Sequence, residues 1–339
     1  MHLIQPADLS GLNTFAVAAS AGGLFVIESE EDVLALPPVE PDRDLVLSGG
    51  SNILFVSDVP GSVYLNRIRG LAVVDVTPDH FLVEVGAGEN WHQLVTTAVE
   101  RGWHGLENLA LIPGLAGAAP IQNIGAYGVE LASVLESVTA WDWHSARWTS
   151  LTTEQCRLAY RDSLFRSGQP GRYLITSIRL RLARRFTPYL DYSGLRDRVS
   201  ARSAGPTAAA VCAAVIQLRR EKLPDPSVQG NAGSFFKNPV IDPARLDDLL
   251  AQGPQLAHWQ TPGGVKVSAA SLIEHCGLKG LRHDGAAVSG QHALVLVNEG
   301  CATGASIWRL ACQVRQRVED RFGVRLEPEP RIYGSAAGA

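Results

Sequence analysis

The chain reads as an α+β protein of more than one domain. Three observations carry that reading. Short apolar runs at Val63-Tyr64-Leu65, Leu71 to Val76 and Phe81 to Val85 are broken by turn signals such as Pro78-Asp79, the pattern of strand hairpins. Helical stripes stand apart from them: Val211, Val215 and Leu218 on one, and Ile307, Leu310, Ala311, Val314 and Val318 on another. No strict alternation of strand and helix joins the two kinds of element, so a single parallel sheet is not expected. With 339 residues the chain exceeds one ordinary core, and two or three domains are expected.

Charge and cysteine usage exclude several function classes. A net charge of −4 gives nucleic acid and anionic membranes no footprint. The densest basic cluster (Arg179, Arg181, Arg184, Arg185) reads as the solvated face of a strand. The segment MHLIQPADLSGLNTF lacks a basic stretch followed by an apolar core, so no secretory signal is read and a cytoplasmic setting is expected. Cys156, Cys212, Cys276, Cys301 and Cys312 are odd in number and form no CxxC pair, which fits reduced thiols; Cys156 and Cys212 lie in helix-like apolar settings. The histidines show neither HxxxH nor HxH spacing, and no metal site is expected.

In chain order, Ser29 to Asp32 reads as a capping box before a helix from Val33 to Leu36. Leu45-Val46-Leu47 and Ile53-Leu54-Phe55 are strands around the turn Ser48 to Asn52. A helix runs from Trp91 to Arg101, a β-rich stretch from Val134 to Trp148, a short helix opens over Thr152 to Cys156, and a strand covers Tyr173 to Leu182. Trp141 and Trp143, spaced by two, read as a packed strand face. Pro188 to Arg196 is an irregular insertion with an exposed Tyr192. The alanine-rich helix Thr207 to Arg220 ends at Lys222-Leu223-Pro224-Asp225-Pro226, the best domain boundary. Helices at Pro243 to Ala251 and Ala269 to Cys276, a strand at Ala293 to Val297 and a strand at Val324 to Pro330 complete the reading.

The rest of the chain is organised around Leu109 to Gly128, LALIPGLAGAAPIQNIGAYG. No charge occurs between Glu107 and Glu130. The span is long enough for a membrane helix, but its prolines and glycines break one repeatedly. Such backbone suits close approach of main-chain N–H groups to a large, flat ligand carrying a pyrophosphate; the plain alternative is a buried loop. Gly49-Gly50 is a second place where amides can cradle phosphate, although a tight hairpin turn explains it equally well. Gly86-Ala87-Gly88 lies between a strand and a helix, but it lacks the third glycine and no βαβ unit follows, which excludes a Rossmann dinucleotide site. Gly230 to Pro239 is a third glycine-bearing loop.

These segments together resemble the UDP-N-acetylenolpyruvoylglucosamine reductase family. IPGxxGxxPIQNIGAYG, then YRDS, then NAGSFFKNP stand in the family's order, and the likeness runs over nearly the whole chain, from Leu47 to Arg331. The resemblance implies a two-lobed FAD-binding unit of the non-Rossmann, vanillyl-alcohol-oxidase-like type, formed by residues 1–68 (joined by 327–339) and 69–220, plus a substrate-binding domain over 221–326. It implies non-covalent FAD held by Ser48, Gly49, Gly50, Ser51, Asn52, Pro113, Gly114, Ala118, Ala119, Gln122, Gly125, Ala126 and Tyr127. It implies catalytic Arg161, Ser234 and Glu329, and substrate contacts from Tyr160, Tyr192, Lys222, Asn238 and His292. The implied reaction reduces UDP-N-acetylglucosamine enolpyruvate to UDP-N-acetylmuramate, with NADPH as co-substrate, and a monomer is expected. The Tyr192 insertion is similar to the longer subtype, whose loop folds over the substrate. Two departures stand out: the family often has glycine at Ser48, and usually a hydroxyl residue near Ala118 or Ala119.

The residue types suit that chemistry. Hydride addition to an enol ether bearing a carboxylate places negative charge on the carboxylate, and Arg161 offers a two-pronged donor for it. Taken alone, Arg161-Asp162 reads as a surface ion pair. Ser234 has no GxSxG or triad setting, so a nucleophile role fits poorly; a serine can donate a proton to an acceptor as basic as a carbanion, and otherwise it only shapes its loop. Glu327 and Glu329 lie two apart on an expected strand, and their pattern does not choose between them; the resemblance selects Glu329, sharing a proton with the substrate carboxyl. Lys222 and Tyr192 suit a diphosphate, or else are a helix-end lysine and a surface tyrosine. Two rival functions share the scaffold: an FAD oxidase acting on another alcohol or carbohydrate, and a nucleotide-sugar sensor with no catalysis.

Overall fold

Alternating apolar side chains become sheet faces, and the glycines become the places where chain crosses chain. The computed structural model describes residues 2–37, 39–40, 43–202, 205–251 and 255–334. The chain forms two units: Met1–Ala7, Ala21–Gly49 and Val59–Arg219 in the first, and Asp8–Ser20, Gly50–Asp58 and Arg220–Ala339 in the second. Both contain sheets and helices, as an α+β chain should.

Among the described residues the first unit holds two larger sheets and a small two-stranded one, Gly125–Ala126 with Val129–Glu130. In one of the larger sheets, Ser20–Ile27 lies between His2–Ile4, antiparallel, and Val59–Asn66, parallel, with Leu45–Leu47 parallel on the far side of Val59–Asn66. The expected hairpin at Gly49-Gly50 is therefore not formed: Leu45–Leu47 pairs with Val59–Asn66, whereas Ile53–Phe55 belongs to the second unit and pairs there with Arg331–Tyr333. The other larger sheet is wholly antiparallel, in the order Arg147–Thr152, Leu135–Asp142, Tyr173–Ala183, His80–Gly86, Leu71–Val76. Val83, Val85, Val138, Ala140, Ile178 and Leu180 line its buried face, against which the helices Trp91–Glu100 and Ala208–Lys222 bring Leu94, Val95, Val211, Val215 and Leu218. Trp141 packs edge-on against both Trp143 and its cross-strand neighbour Trp148, the packed face that their spacing predicts. Arg179 and Arg181 pair with Glu84 and Glu136 on the exposed face. Burial pushes the Cys156 thiol up to about 12 and the Cys212 thiol up to about 11, so both are inert core residues.

The second unit contains the antiparallel sheet Asn231–Ser234, Val295–Asn298, Ala286–Val288, Arg282–His283, and a smaller sheet of Val240–Ile241, Gly264–Val267 and His258–Thr261. The helix Gly304–Phe322 buries Ile307, Leu310, Ala311, Val314 and Val318, the stripe its sequence predicts. Thr303 and Ser306 close a capping box at its start, and Gly323 ends it in the left-handed conformation.

Three elements differ from expectation. Ser29 and Asp32 do form a capping box, but the helix they start is Glu30–Leu34. Thr152 ends the strand Arg147–Thr152 and residues 153–156 form turns, because Thr153 Oγ1 donates to the Leu135 and Glu136 carbonyls and Gln155 caps the Thr152 N–H, competing with helical bonds. Residues 324–330 make one bridge, Phe236 to Pro328, and the strand begins at Arg331. Pro328 and Pro330 have no N–H to offer a ladder. The last five residues of the expected segment 327–339 lie outside the described residues.

Gly304 marks the tightest chain crossing in the second unit: a Cβ there would fall 1.6 Å from the Phe55 carbonyl oxygen. Gly304→Ala should cost about 2–3 kcal/mol, read as a lower urea midpoint at unchanged slope. An unchanged midpoint would show that this crossing relaxes freely.

Candidate active site

Residues 109–128 are held by the segment 87–92. Gly117 and Ala116 donate their N–H groups to the Ala87 and Glu89 carbonyls, at 2.9 and 2.8 Å. Trp91, fully buried, donates its backbone N–H to the Gly114 carbonyl and its indole N–H to the Leu109 carbonyl. His92 Nδ1 accepts from the Leu111 N–H. The GAGENWH stretch therefore acts as a brace. A Cβ on Gly117 would stand 2.4 Å from that of Ala87, and one on Gly49 would stand 3.0 Å from Gly114 Cα. The Ser48-Gly49 turn and the 109–128 stretch thus meet backbone to backbone within the first unit. Gly50, Ser51 and Asn52 belong to the second unit, where Gly50 takes φ +62° and Asn52 Nδ2 donates to the Glu329 carbonyl.

Ala118 and Ala119 lie in a 3₁₀ turn, Ala116–Gln122, with Ala118 half-buried and Ala119 buried. Gln122 Oε1 accepts from Arg166 Nη1. Asn123 and Tyr127 take positive φ, and the buried Asn123 side chain ties Glu130, the Ala159 carbonyl and the Ala132 N–H together.

That junction leads to Arg161. Ala159 and Asp162 exchange both backbone hydrogen bonds, making a tight turn with Tyr160 and Arg161 at its tip. Arg161 is held at φ +53°, its guanidinium lies 5.3 Å from the Tyr160 ring centroid, and Nη2 donates to the Gly125 carbonyl at 2.8 Å. Asp162 accepts instead from the Ser163 N–H and the Ser167 hydroxyl. Arg161 is therefore directed to the 109–128 stretch.

Tyr192 is exposed, as expected, and packs edge-on at 4.7 Å against Tyr127. Asn108, buried and not singled out by the sequence, holds this arrangement: one side-chain amide donates to both the Tyr127 and the Tyr189 carbonyls, at 2.9 and 3.1 Å. Nothing in a lone asparagine next to an apolar run announces such a clasp.

In the second unit, Ser234 ends the strand Asn231–Ser234 opposite Val295. Fully buried Phe235 and Phe236 pack edge to face beside it, and Gly233 at φ +70° sets the preceding bend. Among the described residues, nothing hydrogen-bonds the Ser234 hydroxyl. The structure brings Glu329 next to it in the backbone ladder: Glu329 N–H donates to the Phe235 carbonyl, and Lys237 N–H donates to that of Glu327. Pro328 occupies the position between, where the ladder asks for no N–H. Glu327 is exposed and pairs with Lys237, whereas Glu329 is half-buried.

Asn238 Oδ1 accepts from the Ala269 N–H, which leaves its amide donors facing elsewhere. Lys222 is the last residue of its helix. His292 Nδ1 accepts from the Leu294 N–H, so its proton is on Nε2. Burial first, and the Lys222 charge next, hold its imidazole below the usual histidine range. Among the described residues there is no cluster able to hold a metal, and no helix is long and apolar enough to cross a membrane.

Residues 225–333 match the C-terminal domain of UDP-N-acetylenolpyruvoylglucosamine reductase, and residues 25–148 match an FAD binding domain. The UDP-N-acetylenolpyruvoylglucosamine reductase of Bordetella pertussis is 47% identical over 331 residues, 97% of this chain and 94% of that protein. The chain belongs to this reductase family. The reductase of Xanthomonas campestris is 46% identical over 342 residues, covering 98% and 97% of the two chains. The crystal structure of the Thermus caldophilus reductase has a TM-score of 0.68 at 26% identity, over 98% of each chain. Members of the reductase family use FAD, and the first unit fits it. Ser48 Oγ is buried without a hydrogen-bond partner among the described residues, at a turn where Gly49 passes so close to Gly114 that a Cβ would stand 3.0 Å from the Gly114 Cα.

The lowered His292 value has a sign. Because the folded state resists protonation, its stabilising share is complete above the ordinary value of 6.5 and is lost as pH falls below it. Between pH 8 and pH 5, the wild-type urea midpoint should fall further than that of His292→Gln. Equal falls would remove His292 as an acid-sensitive group.

Proposed function

We propose that this chain reduces UDP-N-acetylglucosamine enolpyruvate to UDP-N-acetylmuramate, an FAD-dependent and NADPH-consuming step of peptidoglycan precursor synthesis. The observation that carries the roles below is Ser234, which stands at a strand end next to two buried phenylalanines with its hydroxyl committed to no partner among the described residues.

Bound FAD, reduced by NADPH, supplies a hydride to the terminal alkene carbon of the enol ether. Arg161 receives the charge that then builds on the carboxylate; its turn and the Gly125 carbonyl fix its direction before substrate arrives. Ser234 donates the proton to the carbon bearing the ether oxygen, which is basic enough to take it from a hydroxyl. Glu329 sits beside Ser234 and shares a proton with the substrate carboxyl, so that two carboxylates do not face each other charged. Tyr160, Tyr192, Lys222, Asn238 and His292 hold the nucleotide-sugar, with Lys222 and Tyr192 on its diphosphate. Ser48 to Asn52, Pro113, Gly114, Ala118, Ala119, Gln122, Gly125, Ala126 and Tyr127 hold FAD. The sheet around Ser20–Ile27 and the larger, wholly antiparallel sheet of the first unit serve as the two cofactor lobes, and residues 221–326 carry the substrate. A monomer working in the cytoplasm completes the reading.

Ser234→Ala separates proton donation from every earlier step. Flavin reduction by NADPH should keep its wild-type rate, while reoxidation by the enolpyruvate substrate should slow by at least ~10²-fold. Full turnover in Ser234→Ala would contradict the assignment. Loss of flavin reduction instead would mean that Ser234 supports the fold around the cofactor.

A further inference from the structure

Arg67 follows the strand Val59–Asn66 and is half-buried. Its Nη1 donates to the Ser48 carbonyl at 3.3 Å, and its backbone N–H donates to the Ile27 carbonyl at 2.7 Å. Its backbone also passes directly against Gly88, where a Cβ would lie 2.5 Å from the Arg67 carbonyl carbon. Gly88 sits within the brace that holds residues 109–128. One arginine therefore touches both walls: the glycine turn through its side chain, and the brace through its main chain.

The charge of Arg67 is not balanced by the protein. No carboxylate forms an ion pair with it among the described residues. Burial and the neighbouring Arg69 charge both hold its guanidinium below the usual arginine range. A half-buried cation facing a second cation is unfavourable unless an anion joins it. The orphaned Ser48 Oγ is a second unmet polar group at the same turn, and a guanidinium matches two phosphate oxygens at once.

We propose that Arg67 is a further cofactor-binding residue, whose guanidinium neutralises the FAD pyrophosphate at the Ser48-Gly49 turn. The proposal rests on the FAD reading of the first unit. Its chemistry is diphosphate recognition, and the nucleotide-sugar carries a diphosphate too, so the test separates the two sources.

Full-length protein stripped of flavin is titrated with FAD and with riboflavin, which has no pyrophosphate, and binding is read by flavin fluorescence. Arg67→Met should weaken FAD by about 10- to 100-fold and leave riboflavin unchanged. Arg67→Lys should recover part of the loss. Wild-type affinity for FAD should fall more steeply with KCl than affinity for riboflavin, which tests the charge even if a variant folds poorly. Equal losses for the two flavins would reduce Arg67 to a support of the turn and overturn the proposal. Unchanged FAD affinity with a raised KM for the nucleotide-sugar would overturn it in favour of the substrate diphosphate. A wild-type protein that binds neither flavin would instead overturn the cofactor reading beneath it.

Discussion

Main chain packed against main chain, with no side chain between, is the constraint on which the first unit depends. Gly49 meets Gly114 and Gly88 meets Arg67 backbone to backbone, and Gly117 lies against Ala87, whose side chain is a single methyl. Each contact removes a Cβ that would otherwise stand off the neighbouring strand by more than an ångström. The gain is a thin wall of polar backbone, rigid because Trp91 and the carbonyls of residues 87–89 fix it from behind. A rigid wall is what a cofactor needs if its reacting atoms are to sit the same way at every turnover. The cost is that charge must come from the margins, since the stretch between Glu107 and Glu130 carries none.

The side chains proposed to react are placed by the same economy. Arg161 stands on a tight turn in a conformation that non-glycine residues seldom take, and the Gly125 carbonyl fixes the direction of its fork. Ser234 stands at a strand end between a positive-φ glycine and two buried rings. Glu329 reaches the neighbourhood of Ser234 through a ladder that uses the missing N–H of Pro328 at the position where no donor is required. Tyr192 lies in an irregular segment, next to which Asn108 clasps Tyr189 and Tyr127 to each other.

Much of this is legible in the amino-acid sequence, for physical reasons. Period-two apolar runs give the strands, because one face of each is buried. The Ile307 to Val318 stripe gives the long helix. The absence of charge and the density of glycine in residues 109–128 announce close backbone contact by composition alone. Other features leave no local mark. Asn108 and Asn123 are buried for hydrogen bonds to residues far along the chain, and no short pattern encodes such partners. Residues 152–156 look helical until Thr153 finds carbonyls on a strand more than fifteen residues away. Gly49-Gly50 suits a hairpin locally, and only the distant strands Val59–Asn66 and Arg331–Tyr333 decide otherwise. Glu327 and Glu329 are equivalent by spacing, and burial separates them.

The central claim is that one bound flavin passes electrons from NADPH to the enol ether, and one anaerobic trace tests it. The purified protein is loaded with FAD, reduced with NADPH and mixed with UDP-N-acetylglucosamine enolpyruvate while the visible flavin band is followed. The expected result is bleaching by NADPH and rapid return of the oxidised band on adding the substrate, with UDP-N-acetylmuramate formed in equal amount. A band that bleaches and returns only when air is admitted would contradict the claim and favour an oxidase.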